Sequence, residues 1–348
     1  MRRVAALLVV AAVSARAAAA PGSGLGPPEA AFSEKLHRFG LSKESLAGEA
    51  PESAAAVAAT PQAALPPPKL FDRKTTLVTA GILVATPIVG YLTWWHNDTN
   101  GRFVTTDEGW FGEDTYAGGA DKASHITLGY MATLGFQAMY RALGKTPGQS
   151  RALAFGLTAV AGTFVELGDG FSKYGFAWED IAANVIGAGI ATAVDAFGVK
   201  DTVGLRFGLV PNTIPPPCCR YPGFGSDYSD EIYTLDLKLA GLLPRLGAVP
   251  GATRFFLVSV TYGSKGYRHS PPENRERQVG FEVGLNLPEF LRAAGVRDTT
   301  WWGKTLLVFF TYFRFPYTAL GWRYDLNQGR WRGPDTGQSY DPGLVIYD

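Results

Sequence analysis

Two cysteines among 348 residues, adjacent at Cys218 and Cys219, give the chain no means of stapling distant segments. Bridging neighbours would need a strained ring, so two loop thiols are the plain expectation. Charge of one sign is also lacking. The formal net charge is +1, which supplies no field for nucleic acid or for anionic substrates at large. Histidine is scarce, and neither a His-Glu-x-x-His pair nor a Gly-x-Ser-x-Gly elbow occurs. Met139 stands where a phosphate loop ending in Gly144-Lys145-Thr146 would need its leading glycine. His37, His96 and His269 are isolated and expected in tether or loop.

What is present begins with an export pattern. Arg2 and Arg3 precede the apolar run Val4 to Val13, followed by small residues through Ala20, so residues 1–20 read as a signal peptide. No cysteine follows that run, so lipid attachment there is not expected. Residues 21–70 are rich in Ala, Pro, Gly, Ser and Glu and too poor in large apolar residues for a core. They read as a disordered tether. From Thr75 to Trp95 about twenty residues pass without a charge and end in Trp94-Trp95. That length and aromatic end suit a transmembrane or deeply inserted helix, and Gly81, Pro87 and Gly90 disfavour a helix in water. A mean hydropathy of +0.02 fits a mixed layout of apolar helices, a polar linker and one ordinary globular part.

Three further helices are expected at Lys122 to Leu143, with Asp121 as N-cap, Ser150 to Leu167, and Ala177 to Phe197. All are dominated by Ala, Gly, Leu, Val and Ile, so they are buried in protein or in lipid. Beyond residue 200 the pattern turns strand-like at Tyr233 to Leu239, Arg254 to Tyr262, Gln278 to Leu285, Lys304 to Tyr312 and Leu320 to Tyr324. One helix is expected near Pro288 to Ala294. The expected fold class is therefore α+β. An Ala/Gly-rich, membrane-associated four-helix bundle over 71–200 is followed by a small antiparallel β-rich region over 201–348, packed on the bundle rather than closed as a barrel.

Charged residues inside apolar helices are costly unless paired, capped or facing a polar space. Asp121 and His125 are four apart and share a helix face with Lys122 close by. Glu166 and Asp169 close the second of these helices, and Asp180 and Asn184 open the third, again four apart. Gly187, Ala188 and Ala191 form a small-residue stripe that admits close helix contact. Alternating helix directions bring these polar groups to one end of the bundle. A structural cluster is one reading. The other is an acid-base or divalent-metal site with His125, Glu166 and Asp180 as the catalytic candidates and Asp121, Lys122, Asp169 and Asn184 around them. The acidic loop at Glu108 and Asp114 is a further contributor. No metal or cofactor is assigned by these residues.

The runs Gly118-Gly119-Ala120-Asp121-Lys122-Ala123-Ser124-His125, Glu166-Leu167-Gly168-Asp169-Gly170 and Trp178-Glu179-Asp180-Ile181-Ala182-Ala183-Asn184-Val185-Ile186-Gly187 resemble the YfiM-like family of bacterial envelope proteins, domain of unknown function 2279. A looser likeness is to VanZ-like membrane proteins. The resemblance implies an exported, membrane-associated cell-envelope protein with membrane lipid as partner and no nucleic acid. It leaves any envelope-protein or glycan partner, and the choice of inner or outer membrane, open. Signal cleavage would put Arg73 and Lys74 outside, against the positive-inside tendency.

Overall fold

The computed structural model describes residues 69–209, 228–267 and 272–335. The signal sequence, nearly all of the tether, His37, His269, Cys218 and Cys219 lie outside them. Helix α1 (Arg73–Gly90) starts where the Asp72 side chain accepts a hydrogen bond from the Thr75 amide, and runs on through a π-helical turn, Tyr91–Trp95. It rests on α3 through Val78, Ile82 and Leu83 and leaves Leu77, Val84, Ile88 and Leu92 uncovered. Trp95 departs from the expected interfacial role. It is buried because Gly90 and Gly168 leave room for its ring, and its Nε1 donates to Asp169 at 2.6 Å.

Helices α2 (Ala120–Ala142), α3 (Pro147–Gly170) and α4 (Trp178–Ala196) pack on one another. Helix α3 begins earlier than the apolar pattern suggests. Thr146 and Gln149 form a capping box and Pro147 occupies the first turn, where its missing N–H costs nothing. Asp121 is not the N-cap of α2. That place belongs to Gly119, and Asp121 lies in the first turn. The entry to α2 is a left-handed run, Ala117, Gly118 and Gly119, with φ of 50°, 58° and 86°. A Cβ on Gly118 would collide with the Tyr267 ring, so glycine is required there on two counts. Ser264 Oγ donates to the Ala117 carbonyl at 2.7 Å and Tyr262 to that of Gly118, which ties the bend to the sheet.

The α+β class holds, and the sheet is mixed where a purely antiparallel one was expected. Seven strands, β1 (Val203–Leu209), β2 (Glu231–Lys238), β3 (Phe256–Lys265), β4 (Glu276–Leu285), β5 (Phe313–Arg314), β6 (Ala319–Asp325) and β7 (Arg330–Asp335), form one sheet ordered β5-β1-β2-β3-β4-β6-β7. All neighbours are antiparallel except β1 and β5, which run parallel, so the sheet is mixed. Short helices α5 (Leu239–Arg245) and α6 (Leu287–Ala293) lie between strands. The expected strand at Lys304 to Tyr312 is instead helix α7 (Trp301–Tyr312). Its apolar run has no alternation, so periodicity does not separate the two forms, and Thr300 capping the Gly303 amide sets the helix.

The sheet buries a polar face and exposes an apolar one. In register across four strands, Leu235, Val260, Phe281 and Trp322 form one exposed row, and Leu237, Val258, Val283 and Leu320 form the next. On the opposite face Arg206, Thr234, Thr261 and Arg323 are buried, as are Asp236, Ser259 and Glu282. Arg314 on β5 reaches Glu282 on β4 with two bonds of 2.8 and 2.9 Å, so the sheet curls around this polar interior. At one end of the apolar face Phe207 and Tyr233 meet Tyr130, Met131 and Leu134 of α2, with Ala191 and Val194 of α4.

Candidate functional site

Helices α2 and α4 both begin at the same end of the helical layer, and their first turns carry Asp121 and Asp180. A helix N-terminus favours negative charge, which accounts for carboxylates at both places. Lys122 lies between them, fully buried. Its Nζ donates to Glu108 at 2.5 Å, to Asp121 Oδ2 at 2.9 Å and to Asp180 Oδ1. Such a buried ammonium is tolerable only with acceptors on all its hydrogens, and three carboxylates supply them. Tyr228 donates to Asp121 Oδ1 from just before β2.

His125, one turn along α2, presents Nε2 to Asp121 Oδ1 at 3.7 Å and to Asp180 Oδ2 at 3.6 Å. On its other side Nδ1 pairs with Asn184 Nδ2 at 3.1 Å. The close approach of α2 and α4 is what brings these groups into range. A Cβ on Gly129 would meet the Asn184 carbonyl at 2.6 Å, and one on Gly187 would strike the Ile126 carbonyl. The expected small-residue stripe is thus a backbone contact, with Gly187 at its centre.

Burial and neighbouring charge set the protonation of the cluster. Burial alone would raise Asp121, but His125, Lys122 and Tyr228 hold it below the usual carboxylate range. Asp180 is pushed up to about 8 by burial and by Asp121, against the pull of Lys122. Glu108 is also pushed up to about 8, by burial and then by Asp121 and Asp180. Burial would lower Lys122, but Asp121, Asp180 and Glu108 raise it well above its ordinary value. The ammonium therefore stays charged, while burial and mutual repulsion work against ionising all three neighbouring acids at once.

Of the residues singled out from sequence, Asp121, Lys122, His125, Asp180 and Asn184 are in mutual contact. Glu166 is buried beside them. Gly162, one turn before it, lies against Asn184, so α3 turns this face of the helix toward α4. Asp169 is drawn away to Trp95 and marks the outer edge of the group. Asp114 stays outside the cluster and exposed, whereas Glu108 is inside it. Tyr228 carried no sequence signal, because a partner 107 positions away cannot be read from local spacing. Glu179 is a second unannounced member of the buried acids, with one side-chain oxygen unpartnered.

Residues 107–196 match the family model described as "Predicted periplasmic lipoprotein (DUF2279)", about a quarter of the chain and the part that holds every residue of the cluster except Tyr228. That match says nothing of VanZ-like proteins. No curated protein and no solved structure matches the chain.

Proposed function

We propose, taking residues 107–196 as a DUF2279 segment, that this is an exported cell-envelope protein seated in a lipid membrane, with the Lys122-centred cluster acting to hold α2 and α4 together. The observation that carries the reading is the reversed sheet: arginines and carboxylates buried, and two registered rows of aliphatic and aromatic side chains exposed. In water each exposed row would cost roughly 25 cal/mol per Å² of apolar surface, whereas lipid removes that cost. Helix α1 with its π-helical turn, and α3, support the same reading. Both are long and apolar enough to cross a membrane by length and composition. The family description adds the periplasmic side; its lipoprotein element finds no cysteine in the matched segment.

The test is to reconstitute the full chain in bilayers whose acyl chains carry bromine, and to follow tryptophan emission. Trp322 on the exposed face should be quenched, and a Trp322→Phe variant should lose that part of the quenching. Release of the chain by alkaline carbonate, with no quenching, would refute membrane seating.

A second reading has one observation in its favour. His125 keeps 16 % side-chain exposure beside two carboxylates, so an imidazole base is within reach of a substrate. It would make the protein a membrane-embedded hydrolase or transferase acting on a lipid or glycan, with Glu166 and Asp180 as partners. His125→Ala and Glu166→Ala separate the two. Under the scaffold reading both variants melt earlier or fail to assemble. Under the enzymatic reading both fold and melt as the parent does.

A further inference from the structure

Lys122 neutralises only one face of the cluster. It takes Asp121 Oδ2 and Asp180 Oδ1, and leaves Asp121 Oδ1 and Asp180 Oδ2 turned toward the His125 imidazole. Asp121, His125 and Asp180 can each offer one ligand atom such that the three lie within 4.8 Å of one another, and Asp121 Oδ1 and Asp180 Oδ2 face the imidazole Nε2. Their separations from Nε2, 3.6 and 3.7 Å, are too long for hydrogen bonds. They are instead the spacing of donors that share one cation at about 2.0–2.2 Å, the usual distance for imidazole and carboxylate ligands. Asn184 presents its Nδ2 to the far nitrogen of the ring at 3.1 Å; for Nε2 to ligate, Nδ1 must carry the proton, so the amide must turn to offer Oδ1, as an outer partner does for a ligating histidine. The Tyr228 hydroxyl donates to Asp121 Oδ1, a carboxylate oxygen able to accept more than one partner.

An independent observation points into the same space. Glu166 is 1 % exposed, and among the described residues its Oε1 has no hydrogen-bond partner. The contact of Gly162 with Asn184 sets Glu166, one turn further on, on the side of α3 that faces α4. Glu108, Asp121 and Asp180 thus surround one ammonium, and Glu166 lies buried on the neighbouring helix. A buried, unpaired carboxylate is expensive, and a second positive centre removes that expense.

We propose that Asp121, His125 and Asp180 bind a single divalent cation of the Zn2+ or Mn2+ class, opposite Lys122, with Glu166 supplying further negative charge behind it. One imidazole with two carboxylates suits these ions. Ca2+ prefers six to eight oxygens, which this set does not offer. The inference goes beyond the membrane reading and does not depend on it.

The experiment uses the full chain purified in detergent and stripped with a chelator, titrated separately with ZnCl2 and MnCl2 by calorimetry. Co2+ serves as a visible-absorption probe. One ion per chain should bind and raise the melting temperature, since a ligand of the folded state alone stabilises it. His125→Ala should abolish that stoichiometric binding and the Co2+ ligand-field bands. Asn184→Ala should weaken binding by about 10–100-fold, the usual effect of losing an outer-sphere partner. His96→Ala, a histidine outside the cluster, should change nothing. If the parent protein binds no ion at millimolar metal, or binds equally well without His125, the carboxylates share protons rather than a cation and the proposal falls.

Discussion

Gly187→Ala is the sharpest test of how α2 and α4 create the site. In an isolated helix the change is favourable, because alanine loses less backbone entropy than glycine by about 0.5–1 kcal/mol. Here the new methyl would fall well inside 3.0 Å of the Ile126 carbonyl and would meet the Tyr130 amide nitrogen at 2.8 Å. Both are backbone atoms of α2, which cannot rotate aside, so the two helices must part. Overpacking of this kind costs about 1–3 kcal/mol. Parting also stretches the His125–Asn184 bond from 3.1 Å, and a lost bond of this sort forfeits about 0.5–1.5 kcal/mol. The unfavourable effects win, for a net destabilisation of roughly 1–3 kcal/mol. Gly189, two residues on in α4, has no heavy atom near its Cβ position, so Gly189→Ala should be neutral or stabilising by up to about 1 kcal/mol. The two variants, melted side by side in detergent by circular dichroism, should move in opposite directions. A Gly187→Ala protein that melts at or above the parent would refute the close-contact argument.

Three further outcomes follow from the paired charges. Lys122→Met should cost about 3–5 kcal/mol, because it strands Asp121, Asp180 and Glu108 without their ammonium; chemical denaturation reads the loss. Arg314→Leu should be similarly costly by leaving the buried Glu282 with only the longer Arg323 contact at 3.6 Å, while Arg314→Leu with Glu282→Leu should recover much of it. A double variant no better than the single one would show that the pair contributes more than mutual neutralisation. Asp72 is held at about 2, below its ordinary 3.8, by the Lys145 side chain and then by the Thr75 amide it caps. Its folded value is depressed, so its contribution is present above about pH 4 and fades as pH falls toward 2. Asp72→Asn should flatten that part of a plot of melting temperature against pH.

Much of the helical half was legible because its signals are local. An uncharged stretch from Thr75, a carboxylate and an imidazole four apart, and glycines at Gly144 and Gly198 each act within a few residues. Two left-handed glycines at the helix ends confirm the stops, with φ of 83° and 64°. The polar cluster was foreseen in outline for the same reason: helices joined by short turns must run antiparallel, so Glu166 and Asp180 fall at one level. The β half was less legible. Gly204 and Gly208 hide β1 from a propensity reading, and Gly208 is there because Arg314 and Ile232 crowd its Cβ position. In α7, a uniformly apolar run gave period no purchase.

By its own composition and order the chain determined that the apolar stretches before residue 200 become helices, where they stop, and that ionisable groups share their ends. Those follow from backbone propensity and from the cost of burying charge, both of which act along the chain. Only the tertiary structure decided that Lys122 sits at the centre of the carboxylates, that Tyr228 joins them, and that Trp95 turns inward onto Gly168. It alone decided which sheet face is buried. Alternation separates the polar from the apolar residues of a strand, but the solvent on each side sets which face turns out, and here the apolar one does.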